Sequence, residues 1–391
     1  MNVILFDDQP IRENLLPLTF TRPVADIRIG ILTIREKWER LTGLVTSSKT
    51  QSYLSTKYTT EYTIDTDNVW INGSVLPSKV LLDEVKALEP QHVLLQGDTI
   101  IAINSGNDQE FPGYATAYKK VNSKADLLQI KFPWDIFSKN DVALRADFDL
   151  LTTGRKSLPI DASNQVKGKN NIFLEEGASV TCSILNAETG PIYIGKDAEV
   201  MEGSIIRGPF SLGEHAALKL GTKIYGATTI GPHSKVGGEV NNSVIFGYSN
   251  KAHDGFLGNA VVAEWCNLGA DSNNSNLKNN YGEVRIWSYA EKDYIPTGLT
   301  FCGLIMGDHS KCGINTMFNT GTVVGINANI FGAGFPATHI PSFSWGGASD
   351  STVYKLPTAF EVAARVFQRR GLVFDEQEQK ILTHIFEITR S

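Results

Sequence analysis

Aliphatic residues standing six apart, without a break, are the feature that most narrows what this chain can fold into. Ile194, Val200, Ile206, Leu212, Leu218, Ile224, Ile230 and Val236 form the longest run. At 42% hydrophobic residues overall, eight such hits in one phase have a chance probability of about one in a thousand. Four places after each of the first seven stand Ala198, Ser204, Phe210, Ala216, Thr222, Thr228 and Ser234, all small except Phe210. Gly195, Gly213, Gly231 and Gly237 directly follow the aliphatic residue. Met306, Cys312, Phe318, Val324 and Ile330 repeat the code, and Phe256, Val262 and Leu268 make a shorter third run.

Period six matches neither a helix nor a simple alternating strand. It fits a coil in which each unit supplies one short strand and one corner. The aliphatic residue points inward, and Gly or Asn tolerates a left-handed backbone at the corner. Three sides close one turn of a triangular prism, and stacked turns bury a ladder that no single turn could bury alone. Over about residues 172 to 335 the pattern resembles the hexapeptide-repeat acyltransferase superfamily, whose prisms coil left-handed. The expected fold is therefore an α/β N-terminal domain (1–155), a left-handed parallel β-helix (156–340) and a C-terminal helical extension (341–391).

Composition excludes several classes of partner. A net charge of −6 disfavours nucleic acid, because neutralising phosphates needs a basic surface, and it weakly disfavours anionic lipid. MNVILFDDQP has no basic leader region, and no run approaches the roughly 18 apolar residues of a membrane span, so a cytoplasmic location is expected. Cys182, Cys266, Cys302 and Cys312 contain no CxxC pair, so neither a disulfide framework nor a metal centre is expected.

A regular prism is scaffold, which directs attention to the places where the period fails. The first run ends at Asn242, and a second break spans Ala270 to Trp287 and is rich in Asn. His215, His233 and His309 each lie three residues after an inward position and read as solvent-facing decoration. His253 alone sits in a break, between Lys251 and Asp254. The residues leave it either catalytic or a structural loop histidine. The segment SNKAHDGFLGNAVVAEWCNLGAD followed by NNYG resembles the acetyltransferase half of the bifunctional N-acetylglucosamine-1-phosphate uridylyltransferase / glucosamine-1-phosphate N-acetyltransferase family. That resemblance implies His253 as general base, with Asp254 a candidate orienter. It also implies Phe256, Asn267, Asn280 and Tyr281 around an amino-sugar phosphate, Ala270 near acetyl-CoA, and a homotrimer. The family's two phosphate-binding cations align with Gly237 and Asn241, so Lys235 is the nearest substitute, with Lys251, Lys278 and Arg285 as others.

The first 155 residues resemble sugar nucleotidyltransferases in Leu16-Pro17-Leu18-Thr19 and Thr21-Arg22-Pro23. Val3–Phe6 reads as a strand, Ile31–Leu41 as a helix and Val69–Ile71 as a second strand. No glycine precedes Gly30, however, and Asp7 and Asp8 stand where a glycine-rich loop should cradle phosphates. The family's lysine is Val24 here and its metal-binding aspartate is Ser74. Leu95-Gln96-Gly97-Asp98 is an alternative Gly-Asp site, and Lys37 and Lys79 are weaker candidates. Mg2+ and a nucleoside triphosphate are expected only if this domain is active. Residues 358–370 and 375–389 read as amphipathic helices covering the prism end. The leading reading is acetyl transfer to an amino sugar. Its rivals are a sugar-1-phosphate nucleotidyltransferase with a structural prism and a non-catalytic sugar-nucleotide-binding scaffold.

Overall fold

The computed structural model describes residues 1–108, 110–113 and 117–390. Contacts divide them into two compact units, Met1–Ile27 with Leu32–Phe132 and Arg28–Ile31 with Pro133–Ser391. No described helix is long and apolar enough to cross a membrane.

The first unit is built on six strands: β1 (Asn2–Phe6), β2 (Thr46–Lys49), β3 (Asn68–Asn72), β5 (His92–Gln96), β6 (Thr99–Asn104) and β7 (Lys119–Asn122). The short β4 (Val75–Leu76) lies outside this sheet, whose order is β2-β1-β3-β6-β5-β7. β1 is parallel to β2 and β3, whereas β6 runs antiparallel between β3 and β5. Ile4, Phe6, Trp70, Val93 and Ile103 pack together as its core. The sequence-expected strands appear with slightly wider limits. The expected helix begins later, as α2 (Ile34–Thr42), because Thr33 and Glu36 form a reciprocal cap there. Gln96 to Thr99 is a tight connection between antiparallel β5 and β6, so the alternative Gly97-Asp98 site falls on an exposed hairpin tip.

The second unit contains a left-handed parallel β-helix. Nine parallel strands stack on each of its first and second faces, the second ending in an antiparallel tenth, and the third face carries six and then, after a break, two more. Counting coils from Gln165, the inward column of the first face runs Leu174, Ile194, Leu212, Ile230, Ile245, Val262, Met306, Val324 and Ile340. Every residue of the long hexad run is buried, as are the small residues four places on. Several of those small residues also close their own corner, Ser204 Oγ donating to Met201 O at 2.8 Å and Thr222 Oγ1 to Lys219 O at 2.6 Å.

Two expectations about this unit need correction. Val240 pairs with Leu257, and Leu257 rather than Phe256 fills the interior; Phe256 lies half-buried outside. His215 is exposed as expected and His233 half-buried, but both belong, with the buried His309, to a stack of flat rings at the corner between the first and second faces. Centroids are 5.0 Å apart for His215–His233, 4.7 Å for His233–Tyr248 and 4.2 Å for Tyr248–Trp265. His309 continues the column and is buried. All five residues have φ between 54° and 62°, so the corner backbone aims successive side chains the same way.

Helices cover parts of this unit. α4 (Pro133–Ser138) and α5 (Asn140–Thr152) lie on the first face, where Asn140 Nδ2 donates to Ala227 O at 2.9 Å. Asn140 Oδ1 accepts from Gly30 N at 2.7 Å, pinning the Arg28–Ile31 segment. Gly30 has φ +73°, and a Cβ there would stand 2.5 Å from Asp147 Oδ2, so only glycine fits. α6 (Leu356–Gln368) and α7 (Glu376–Arg390) realise the two expected C-terminal helices. α6 stacks Phe367 on Trp265 at 4.1 Å, and Phe386 of α7 meets Phe343 in the last coil at 5.0 Å. They therefore cover a flank as well as the end.

Replacing Ile230, fully buried in the first-face column, by Ala removes contacts to the coils on both sides. It is expected to cost about 2–5 kcal/mol, read as a lower urea midpoint at unchanged m-value.

Candidate functional site

The prism departs from its rule around coil 5. Inward residues on successive faces normally stand six apart, yet Val236 is followed after four by Val240. The corner between them is therefore only Gly237-Gly238 and Glu239. Gly238 has φ +76°, and a Cβ there would lie 2.9 Å from Asp254 Cα and 3.0 Å from His253 O. The turn Ala252–Gly255 of the next coil thus rests directly on the glycine pair. His253 and Asp254 are exposed at its tip. Among the described residues none hydrogen-bonds the imidazole, Asp254 included.

The other candidate residues fall into two groups. Lys235, Asn250 and Asn267 are successive partners on the outside of the second face, beside this turn. Strand spacing puts Lys235 and Asn267 about 10 Å apart. Ala270 lies in the corner above, where Asp271 N donates to Asp254 O at 3.0 Å. Phe256 begins the strand that follows the turn, its ring lying against Gly258. Lys235, His253, Phe256, Asn267 and Ala270 are therefore gathered within two coils.

Asn280, Tyr281 and Arg285 belong instead to a long excursion after Asn274, which carries the hairpin Arg285–Ser288 with Asp293–Pro296. That hairpin docks toward the last coils, with Trp287 stacked on His339 at 4.2 Å and Tyr294 Oη 2.9 Å from Thr338 Oγ1. The carbonyl of Arg285 adjoins Gly321 in coil 8, three coils or about 14 Å beyond the His253 turn. Its guanidinium is bonded to Tyr294 O, and Lys278 Nζ to Glu283 O at 2.5 Å. Within one chain these two cations are not gathered with His253.

Two residues inside the prism were not recognised from sequence. Lys251 pairs with Val236 and is buried in the second-face column, where it donates to Gly237 O at 3.0 Å and His253 O at 2.8 Å. It cannot serve as the surface phosphate ligand that it resembled. Asn274 likewise occupies a buried inward place, opposite Phe318. Its Oδ1 accepts from Gly258 N at 2.8 Å and its Nδ2 donates to Gly258 O at 2.9 Å. Asn273 Oδ1 accepts from Phe256 N at 2.7 Å. The third-face sheet stops at Phe256–Gly258 and restarts at Asn273–Asn274, so side-chain amides replace the backbone ladder across that step. Counting six on from Ile245 and from Leu268 would have marked both positions.

In the first unit the place expected for a phosphate loop is closed. Asp7 Oδ1 accepts from Val24 N at 2.8 Å, and its Oδ2 accepts from Thr50 Oγ1 at 2.6 Å while standing 3.4 Å from Arg12 Nε. Burial pushes its pKa up to about 6, against the Thr50 bond and the Arg12 charge. Arg12 in turn donates to Thr19 O and Tyr53 Oη, and Asp8 caps α1 (Gln9–Asn14) at Ile11 N. Ser74 is buried and donates to Asn72 Oδ1 at 2.7 Å, while Gln129 Nε2 donates to it at 2.9 Å. A divalent cation does not fit this donor set, because both Asp7 oxygens are engaged and Ser74 offers no carboxylate. Among the described residues no group of three or more His, Cys, Asp or Glu is placed to hold a metal.

Residues 3–156 match the family model described as sugar nucleotidyl transferase. The bifunctional sugar-1-phosphate nucleotidylyltransferase/acetyltransferase of Sulfurisphaera tokodaii is 34% identical over 144 residues, 36% of this chain and 35% of that protein. The match thus spans about a third of that relative's length. Among solved structures, the UDP-N-acetylglucosamine acyltransferase of Arabidopsis is 17% identical, covering 56% of this chain and 80% of that one, with a TM-score of 0.23. The enzyme of the same name from Campylobacter jejuni is also 17% identical, covering 59% and 82%, with a TM-score of 0.14.

Burial lowers the Lys251 pKa from 10.5 to about 8, with Asp254 opposing the shift. Between those two values the unfolded chain holds the proton that the folded chain has released, so stability gained from this group rises with pH. The full cost, about 3 kcal/mol, applies below pH 8. The unfolding free energy of the native protein relative to Lys251→Met is therefore expected to rise by up to that amount from pH 8 to 10.5. Parallel urea titrations would read it, and a constant difference would contradict it.

Proposed function

We propose that this chain transfers an acetyl group from acetyl-CoA to the amine of an amino sugar, with His253 as general base. The observation that most supports this is the exposed imidazole on the Ala252–Gly255 turn, flanked by Lys235, Asn267 and Phe256 within two coils. A sugar amine is largely protonated near neutrality and must lose a proton before attacking a thioester, and an imidazole nitrogen can accept it. Nitrogen attack forms the C–N bond and a tetrahedral intermediate; collapse breaks the C–S bond, and the thiolate of CoA leaves and takes up a proton. Asn267 and corner N–H groups are the candidate donors to the oxyanion.

The acceptor in this reading is glucosamine-1-phosphate or a related amino-sugar phosphate, with Lys235 as the cation for the phosphate. Phe256, Asn280 and Tyr281 are its further contacts and Ala270 approaches acetyl-CoA. The working assembly is a homotrimer, in which a neighbouring copy can present the excursion carrying Asn280, Tyr281 and Arg285. His253→Ala is expected to lower acetyl transfer by about 10²–10⁴-fold with the unfolding midpoint unchanged. Thiol release from acetyl-CoA, measured against amino sugars with and without phosphate, is the assay, and retained turnover would refute the role.

The nucleotidyltransferase-like unit takes no catalytic part in this reading, because Asp7, standing where a phosphate loop is expected, is engaged by Arg12, Val24 and Thr50. Incubation with nucleoside triphosphates, a sugar-1-phosphate and Mg2+ is expected to release no pyrophosphate. Release above background would favour nucleotidyl transfer instead.

A further inference from the structure

We propose that Lys251 is a positioning residue that aims His253 from inside the prism, through hydrogen bonds to the carbonyl oxygens of His253 and Gly237. This rests on the reading of His253 as the base. The argument begins with the column Lys251 occupies. In the first eight coils its other members are Val180, Val200, Leu218, Val236, Leu268, Cys312 and Ile330, all apolar and buried. Packing alone calls for an aliphatic residue at this position. Replacing a buried charge by an apolar group of similar volume is often neutral or stabilising, so packing does not explain the ammonium.

Its two acceptors do explain it. Gly237 belongs to the shortened corner, and His253 to the turn seated on that corner. One ammonium therefore ties two successive corners together from within. The imidazole has no hydrogen bond among the described residues, so its aim depends on the backbone that carries it. The peptide unit is planar, and anchoring the His253 carbonyl therefore restricts the rotation about its Cα–C bond. Gly255, with φ +119°, and Gly238 give the surrounding backbone unusual freedom, which makes such an anchor necessary. The titratable groups that reach the ammonium are Asp254 and Asp271, both exposed, and the buried thiol of Cys312.

The test compares the native chain with Lys251→Met, which keeps the side chain's length and removes the donors. Amide exchange over residues 252–255 is expected to be at least tenfold faster in the variant, with exchange elsewhere in the prism unchanged. In acetyl transfer, kcat is expected to fall at least tenfold while KM for both substrates stays within twofold. Lys251→Met combined with His253→Ala should be no slower than His253→Ala alone, because a positioning residue acts only through the group it positions. Lys251→Gln, which retains donors, should fall between the native chain and Lys251→Met, and it carries the test if the methionine variant does not fold. Unchanged exchange in the turn would overturn the proposal, as would losses that multiply in the double variant. If the native chain shows no His253-dependent transfer, the proposed function fails, while the exchange comparison still decides whether Lys251 holds the turn.

Discussion

Each strand of the prism is two or three residues long and has room for one central inward side chain, so every coil depends on those above and below it. A buried Ile or Leu contributes about 1.5–3 kcal/mol, but only when a neighbour closes both of its sides. This requirement explains the regularity of the ladder from Ile194 to Val236. It also leaves corners and outer faces comparatively free to vary, because the inward column carries the stability. Corners can shorten, lengthen or erupt into a hairpin without disturbing the stack, provided the inward position is recovered on the next face.

Chemistry gathers where the requirement is bent. The Val236–Val240 step loses two residues, and the turn above it brings an exposed His253 onto a pair of glycines. One coil position on, an ammonium stands where an aliphatic residue would pack better, and its pKa is pushed down to about 8 by that burial. The first unit shows the opposite economy. Asp7, Arg12, Thr50 and Tyr53 are tied to one another and to the neighbouring backbone, which closes the place expected for a phosphate loop.

The prism was legible because period six leaves little else to build, and its hexads and C-terminal helices stand where the pattern puts them. What escaped has identifiable causes. Phe256 reads as inward because a shortened corner shifts the phase by an amount that hydrophobicity cannot reveal; Leu257 next to it is equally apolar. Lys251 and Asn274 were overlooked because a polar residue reads as a gap in a ladder defined by apolar ones. The ring column was missed because stacking joins residues 15 to 44 places apart, and each ring alone resembles ornament. In the first unit the missing glycines were visible, whereas the partners of Asp7 come from three separate segments and needed the fold to appear.

The interrupted third face has a mechanical consequence. A stack of coils behaves as a one-dimensional solid whose toughness at each level is set by the bonds crossing that level. Between Phe256–Gly258 and Asn273–Asn274 those crossings on the third face are three amide contacts from Asn273 and Asn274, not a strand-to-strand ladder. Pulled lengthwise, the third face should yield more readily at this level, one coil beyond the His253 turn, than at the levels before it, where strands pair directly.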